Sequence, residues 1–261
     1  MGWERIDTAK GTSCRVWRAG QGSPIVYLHG SAGILESDGL LAGLAREHEV
    51  YAPELPGFGE SSGEELLEDM LDFTLHGWDV INALGLDRPA LVGHSLGGMV
   101  AAEMASLCPE RVEHLGLIAP AGLWMDEHPV ADIFGVLPQS LPGLLFHDPA
   151  QGAAALTGGV DFSDDDALVS FFVENARRLG TAGKLLFPIP NRRLSKRIYR
   201  LTARTTVIWG ESDRLIPPVY ASRWKELIPG AEVVMIPEAG HMVSLEAPGA
   251  VADAIEKLMV G

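Results

Sequence analysis

Residues 89–98 read PALVGHSLGG, and the interpretation of the whole chain starts from this stretch. Its first four residues, 89–92, form a short apolar run that suits a buried strand and is too short for a helix. Residues 93–97 fit the pattern G-x-S-x-G, and residues 99–107 (MVAAEMASL) have the composition of a helix. A strand, a sharp glycine turn and a helix in this order predict a nucleophile elbow that exposes the hydroxyl of Ser95.

The two glycines of this pattern, Gly93 and Gly97, have a steric explanation. A serine on so tight a turn is strained, and side chains two residues to either side would collide with the neighbouring strand and helix. Leu96 opens the predicted helix, so its backbone N–H has no helical partner and is directed towards Ser95. We therefore expect the Leu96 N–H to stabilise an oxyanion.

Length and composition restrict the class of protein. A chain of 261 residues lies near the upper limit for a single core, which favours one domain with an insertion. An apolar content of 47% with 21% charged residues is typical of a soluble globular protein. The formal charge of −15 argues against general binding to nucleic acid or to anionic membrane surfaces.

Cys14 and Cys108 form no CxxC pair and no metal-ligand spacing, so we expect two thiols and neither a disulfide framework nor a metal site. No apolar run approaches the roughly 20 residues of a membrane span, and residues 1–10 lack the apolar core of a signal peptide. A cytoplasmic protein without a cofactor is expected, and the sequence does not indicate an oligomer.

Apolar runs bounded by turn residues predict strands that alternate with helices. The strands are predicted at 3–7, 12–18, 23–28, 48–55, 89–92, 112–119, 204–210 and 231–237, and the helices at 64–84, 99–107, about 218–228 and about 246–259. The first two strands surround Lys10-Gly11 and predict an antiparallel hairpin. The remaining alternation predicts a mostly parallel sheet flanked by helices on both faces, with functional groups at the carboxyl ends of its strands.

Between residue 121 and about residue 200 the alternation stops. This segment contains most of the phenylalanines of the chain and many of its prolines. We interpret it as several short helices joined by loops and inserted after one strand of the sheet. The predicted organisation is a core formed by residues 1–120 and 200–261, with a helical insertion at 121–199.

A serine hydroxyl needs a base that removes its proton, and histidine suits this task because its pKa lies near neutral pH. His241 follows a predicted strand directly and is the candidate base. Asp213 also follows a strand and is the candidate carboxylate that orients the histidine. Glu211 and Asp126 are alternatives for the carboxylate. The chain order is therefore Ser95, Asp213, His241.

A second glycine-containing turn, His29-Gly30-Ser31-Ala32-Gly33, follows the predicted strand at 23–28. Glycines after a strand allow the backbone to approach a ligand closely. We expect the N–H of Ser31 to be the second oxyanion donor, opposite that of Leu96.

Together these segments resemble the α/β-hydrolase family. The resemblance rests on His29-Gly30, the LPGFG loop at 55–59, the elbow at 93–98, Gly210-x-x-Asp213, and Gly240-His241 with Glu246-x-Pro248. The order Ser, Asp, His is also that of the family. The match covers 23–120 and 200–261, while the insertion corresponds only in position to the variable helical cap of the family.

The resemblance implies acyl-transfer hydrolysis. Ser95 would attack a carbonyl carbon, His241 would carry protons, and the N–H groups of Ser31 and Leu96 would hold the oxyanion until water released the acyl-enzyme. Two departures from the family pattern, Glu54 before Leu-Pro-Gly and Arg204 in place of a proline, are expected to affect local structure only.

The family contains several chemistries. A serine nucleophile argues against the haloalkane dehalogenases and epoxide hydrolases, which need an aspartate there. The carbon–carbon bond hydrolases of ring-fission products usually have Asn before the serine and Trp after the catalytic histidine, where this chain has His94 and Met242. They also need an arginine for an anionic substrate, for which the candidates are Arg177, Arg178, Arg192, Arg193 and Arg197.

The leading hypothesis is a hydrolase of small to medium apolar carboxylic esters, with lactones and thioesters as further candidates. Trp124, just past a strand end, is the predicted substrate-facing aromatic residue, and His94 and Met242 are expected beside the substrate. A small-molecule ester is the expected partner. Two alternatives remain from other classes: a receptor that binds a small molecule with little turnover, and a cofactor-free oxygenase.

Overall fold

The strands form one eight-stranded sheet in the computed structural model, which describes residues 2–35, 38–189 and 193–260. The strands are β1 (Gly2–Asp7), β2 (Ser13–Ala19), β3 (Pro24–Leu28), β4 (Glu49–Pro53), β5 (Ala90–His94), β6 (His114–Ile118), β7 (Arg204–Gly210) and β8 (Glu232–Ile236). Their order across the sheet is β1-β2-β4-β3-β5-β6-β7-β8.

The direction of the strands agrees with the sequence pattern. β1 and β2 form the expected antiparallel hairpin, and β2 is also antiparallel to β4. All the other neighbours, from β4 through β3 and β5 to β8, are parallel. The predicted mostly parallel sheet flanked by helices is confirmed.

Nine α-helices lie in the described part of the chain. They are α1 (Gly39–Leu44), α2 (Met70–Ala83), α3 (Leu96–Leu107), α4 (Leu141–Leu145), α5 (Pro149–Thr157), α6 (Asp165–Leu186), α7 (Val219–Leu227), α8 (Val243–Glu246) and α9 (Pro248–Val260). None of these helices is long and apolar enough to span a bilayer.

Several helices differ from the sequence-based expectation. α6 has 22 residues where only short helices are expected, and α8 was not predicted. The helix expected from residue 64 begins with a 3₁₀ turn at 64–66, and α2 starts only after Asp69, whose carboxylate accepts the N–H groups of Leu71 and Asp72. α1 was not predicted, because six residues are too few to show helical periodicity. Asp38 caps α1 by accepting the N–H of Leu40.

Alternate residues of the strands enter two apolar layers. On β3, Val26 and Leu28 pack in the layer that contains α2 and α3, whereas Ile25 and Tyr27 pack in the layer that contains α1 and α9. Burial on both faces explains why the parallel strands read as nearly continuous apolar runs. The sheet is therefore a rigid platform, and the loops at the carboxyl ends of its strands share one edge.

Helices α4 to α6 lie between β6 and β7, and none of the described residues from 121 to 203 belongs to a strand. α6 is tied to the loop after β4: Arg177 donates to the Glu64 carboxylate, and Lys184 donates to the carbonyls of Glu64 and Leu67. The division into a core and a cap at 121–199 stays a prediction.

Candidate active site

The turn between β5 and α3 holds Ser95 in a strained conformation, with φ 53° and ψ −114°. Such a backbone costs a non-glycine residue about 1–3 kcal/mol. The turn is held by its neighbours: the Ser95 N–H donates to the carbonyl of Ile118 at 2.8 Å, and the Ser95 carbonyl accepts the N–H groups of Met99 and Ala121 at 3.1 and 3.0 Å. The end of β6 therefore fixes the turn that carries Ser95.

The glycines around this turn allow strand and helix to approach closely. A Cβ on Gly93 would lie 2.4 Å from the carbonyl oxygen of Gly97, and one on Gly97 would lie 2.0 Å from the carbonyl oxygen of Leu28. Both contacts involve backbone atoms, so neither can be relieved by a side-chain rotation. The steric explanation of the G-x-S-x-G pattern agrees with these contacts.

His241 joins Ser95 and Asp213 into one hydrogen-bonded chain. Its Nδ1–H donates to Asp213 Oδ2 at 2.8 Å, which leaves Nε2 to accept the Ser95 hydroxyl at 2.8 Å. The carboxylate fixes this tautomer because it can only accept. Asp213 Oδ1 accepts the N–H groups of Leu215 and Ile216, each at 2.9 Å, so both of its oxygens are held.

The three predicted side chains meet in a buried environment. The exposed fractions are 7% for Ser95, 4% for Asp213 and 2% for His241, and such burial strengthens their hydrogen bonds. The two alternative carboxylates, Glu211 and Asp126, are exposed. Asp126 instead accepts the indole N–H of Trp124 at 2.7 Å.

Two side chains, buried His94 and partly buried Glu246, hold the His241 loop in place. His94 Nε2–H donates to the His241 carbonyl at 2.9 Å, and burial lowers the pKa of His94 to about 3, so its ring stays neutral near pH 7. The Glu246 carboxylate accepts the N–H groups of Gly240 and His147, both at 2.7 Å. In the sequence Glu246 is only part of a motif shared with the family, and nothing there indicates that it holds the His241 loop.

The candidate oxyanion loop is a tight turn after β3. The Gly33 N–H donates to the carbonyl of Gly30 at 3.0 Å, and Ser31 lies between them. His29 braces this turn, since its Nδ1–H donates to the Gly30 carbonyl at 2.7 Å and its Nε2 accepts the Leu55 N–H at 3.0 Å. Burial lowers the pKa of His29 to about 4, which keeps this ring neutral as well. Leu96, the first residue of α3, presents its N–H at the helix start.

Arg178 on α6 contacts the same loop. Its Nη1 donates to the carbonyl of Ala32 at 2.6 Å, one residue after Ser31. Its neighbour Arg177 points elsewhere, to Glu64 and to the carbonyls of Gly59 and Ser61. The contribution of α6 to the oxyanion loop was not foreseen from the sequence.

Two cavities meet at Ser95 and Ser31. The first, of about 530 Å³ and open to solvent, is otherwise apolar, and its other lining residues are Met99, Ala121, Gly122, Leu123, Val130, Ala131, Ile133, Phe134, Leu186, Ile189, Leu215 and Ile216. The second, of about 410 Å³, has polar and apolar walls, and its lining includes Tyr27, Asp38, His94, His241, Met242 and Ser244 together with Leu35, Leu145 and Leu245. His94 and Met242 thus line the second cavity, whereas Trp124 lines neither cavity.

The candidate arginines also lie outside both cavity linings in the described part of the chain. Arg178 is bound to the Ala32 carbonyl, Arg177 to Glu64, and Arg197 to the Glu103 carboxylate at 2.7 Å. Arg193 lines neither cavity, and Arg192 lies outside the described residues.

The family model for the alpha/beta hydrolase fold matches residues 23–248. This chain belongs to the alpha/beta hydrolase fold family. Solved structures of similar fold include two named hydrolases. One is the 2-hydroxy-6-oxo-6-phenylhexa-2,4-dienoate hydrolase of Rhodococcus sp. strain RHA1. It superposes on this α/β hydrolase with a TM-score of 0.77 and is 20% identical in sequence, and the match covers 100% of this chain and 99% of that one. The other is naproxen esterase from Bacillus subtilis, with a TM-score of 0.71 and 22% sequence identity, and the match covers 99% of this chain and 91% of that one. At these identities the likeness shows the fold alone.

Curated relatives of this α/β hydrolase have several activities. The dihydrolipoyllysine-residue acetyltransferase component of an acetoin cleaving system from Pseudomonas putida is 32% identical over 87% of this chain, which spans only 60% of that relative. A 2-hydroxy-6-oxo-6-(2'-aminophenyl)hexa-2,4-dienoic acid hydrolase from Metapseudomonas resinovorans is 25% identical over 96% of this chain and 89% of the relative. Lipase 1 of Psychrobacter immobilis is 26% identical over 89% and 75%.

The Asp38 carboxyl group generates a prediction about stability. Burial raises the pKa of Asp38 from 3.8 to about 6, although the N–H groups of Leu40 and Leu41 act in the opposite direction. Since the folded-state pKa lies above the unfolded one, this group stabilises the fold least when the pH is above 6. Asp38→Asn keeps the helix cap and removes the charge. We expect it to increase the free energy of unfolding by about 1–3 kcal/mol at pH 7.5, with a smaller gain at pH 5.

Urea denaturation of both proteins at the two pH values measures this difference. Asp69→Asn is the matched control, because Asp69 caps α2 in an exposed position, and its effect should stay below about 1 kcal/mol. An Asp38→Asn protein that is less stable than the parent at pH 7.5 would contradict the prediction.

Proposed function

We propose that this chain is a serine hydrolase that cleaves carboxylic esters of small to medium apolar substrates through an acyl-enzyme. The observation that carries the proposal is the buried chain Ser95 Oγ, His241, Asp213, joined by two contacts of 2.8 Å beside an apolar cavity. A buried hydroxyl, imidazole and carboxylate in this order are the parts that nucleophilic acyl transfer requires.

In the first half of the proposed reaction Ser95 Oγ attacks the carbonyl carbon of the ester. The hydroxyl proton moves to His241 Nε2, and the Asp213 carboxylate stabilises the imidazolium that forms. The carbonyl π electrons move to its oxygen, which becomes an oxyanion. The N–H groups of Ser31 and Leu96 are the proposed donors to this oxygen.

Collapse of the tetrahedral intermediate re-forms the carbonyl and breaks the bond to the alcohol oxygen. That oxygen takes the proton from His241 Nε2, and the acyl group stays on Ser95. Water then attacks the acyl-enzyme, again losing its proton to His241. The carboxylic acid leaves, and Ser95 Oγ recovers its proton.

The apolar lining of the first cavity supports an ester of an apolar acid. Side chains such as Met99, Phe134 and Leu186 offer no partner for a charged acyl group. The relation to a lipase from Psychrobacter immobilis agrees with ester hydrolysis.

Carbon–carbon bond hydrolysis is the second candidate, favoured by the relation to the Metapseudomonas resinovorans dienoic acid hydrolase. A dienoic acid is an anion at neutral pH and needs a cationic partner. In the described part of the chain the second cavity instead contains the Asp38 carboxyl group and no arginine or lysine. This charge pattern supports an ester over a dienoic acid.

The proposal is tested by hydrolysis of p-nitrophenyl butyrate. We expect wild type to release p-nitrophenol and Ser95→Ala to lose at least about 10³-fold in kcat. Asp213→Asn should lose about 10³–10⁴-fold with its fold intact, because the histidine tautomer is no longer fixed. Equal rates for wild type and Ser95→Ala would refute ester hydrolysis, and turnover of a vinylogous diketone acid but of no ester would favour the second candidate.

The Arg178 contact gives a further prediction. Loss of a full oxyanion donor costs about 10²–10³ in kcat, so a misplaced Ser31 loop should cost less. We expect Arg178→Met to lower kcat for p-nitrophenyl butyrate by about 10–100-fold with little change in KM, and Arg178→Lys to retain part of the activity.

Arg177→Met is the control for this experiment, because it removes contacts of the same helix that do not reach the oxyanion loop. Its kcat should change by less than about threefold. If Arg178→Met and Arg177→Met lower kcat equally, the loss comes from a general weakening of the contacts of α6 with the core. The prediction of a specific role for Arg178 would then be wrong.

A further inference from the structure

The position of His241 assigns the two cavities to the two halves of an ester. In the proposed reaction His241 Nε2 must deliver a proton to the departing alcohol oxygen. His241 lines the second cavity and is not among the lining residues of the first. The alcohol portion therefore extends into the second cavity, and the acyl portion lies in the first.

Polar side chains line part of the second cavity. Tyr27, which is 2% exposed, lines this cavity together with Ser244. Asp38 lies on the same wall, close enough for its charge to raise the pKa of Tyr27. Their oxygens offer hydrogen-bond acceptors to a bound ligand, whereas the only polar side chains among the described lining residues of the first cavity are those of Ser31 and Ser95.

Asp38 brings a carboxylate into this space, and the described residues that line the cavity with it include no lysine or arginine. Its Oδ1 accepts the Leu40 N–H at 3.1 Å. A carboxylate that is mostly buried is costly unless it is paired. A ligand that brings a cationic hydrogen-bond donor would supply the missing partner.

We propose that the second cavity binds the alcohol portion of the substrate through Asp38, and that this portion carries a protonated amine. This inference rests on the proposed ester hydrolysis. It defines the substrate class more closely: an ester of an apolar acid with an amino alcohol. An anionic group in the same place would be repelled by the Asp38 carboxylate.

Helix capping alone is the alternative role for Asp38, and the two roles respond differently to substitution. Asparagine caps a helix as well as aspartate does, so Asp38→Asn retains α1 and removes only the charge. A selectivity that depends on the charge is then lost, whereas one that depends on the shape of the cavity is retained.

Two isosteric esters make the test direct. 2-(Dimethylamino)ethyl butyrate, protonated at pH 7, and 3-methylbutyl butyrate have the same acid and the same shape of alcohol, and differ in the charged N–H. We expect wild type to prefer the ammonium ester by about tenfold or more in kcat/KM. Asp38→Asn should abolish this preference, so that the ratio of kcat/KM for the two esters falls to within about threefold of unity.

Asp69→Asn, a capping aspartate outside both cavities, should retain the preference of wild type. A wild-type preference for the neutral ester, or a preference for the ammonium ester that persists in Asp38→Asn, would overturn the proposal.

A binding measurement separates failure of this inference from failure of the proposed hydrolysis. Calorimetric titration of Ser95→Ala with N,N-dimethylethanolamine and with 3-methylbutanol needs no turnover. Suppose that Ser95→Ala binds the amino alcohol more tightly than 3-methylbutanol, and that this difference disappears in Ser95→Ala/Asp38→Asn. This result supports the subsite, even if wild type hydrolyses neither ester faster than Ser95→Ala does. Equal binding of both alcohols would overturn it even in an active hydrolase.

Discussion

The close contact of β5, α3 and the end of β3 is the constraint on which the site depends. Gly97 approaches the Leu28 carbonyl so closely that a side chain cannot be accommodated there, and Ser95 in the same turn has a positive φ of 53°. The local cost of that backbone is met by the surrounding sheet, because Ser95 is hydrogen-bonded to Ile118 and Ala121 at the end of β6. The serine is thereby held rigidly above the edge where the other strands end.

Neutral buried histidines extend this rigidity to the flanking loops. His29 ties the turn after β3 to Leu55, and His94 ties the elbow to the backbone of His241. Both rings have lowered pKa values because they are buried, so they keep the same hydrogen-bonding pattern throughout the neutral pH range. Of the three histidines around the elbow, only His241 has a ring nitrogen bonded to Ser95.

Local patterns made much of this arrangement predictable from the sequence. The strands are apolar runs that end at turn residues, and the positions of Ser95, Asp213 and His241 directly after strands are enough to place them along one edge. Predictions failed where a contact depends on distant parts of the chain. Arg178 and Ala32 are separated by 146 positions, and nothing near either residue signals their contact.

Trp124 shows that a contact between near neighbours can also differ from the prediction. Its place just after β6 suggested a substrate-facing ring, yet its indole N–H is bonded to Asp126 two residues later. Asp38 caps α1, a helix that the sequence pattern does not predict, and only the assembled fold shows that Asp38 also lines a cavity together with Ser95. The negative charge that Asp38 brings to the second cavity thus depends on the assembled fold and cannot be read from a local sequence pattern.

A covalent adduct tests the central claim most directly. A p-nitrophenyl alkylphosphonate should release p-nitrophenol and leave its phosphonyl group on Ser95 Oγ. In the crystal structure of this adduct we expect the phosphoryl oxygen to lie about 3 Å from the backbone nitrogens of Ser31 and Leu96, with the alkyl chain in the apolar cavity. Modification of another residue, or a phosphoryl oxygen directed away from both N–H groups, would contradict it.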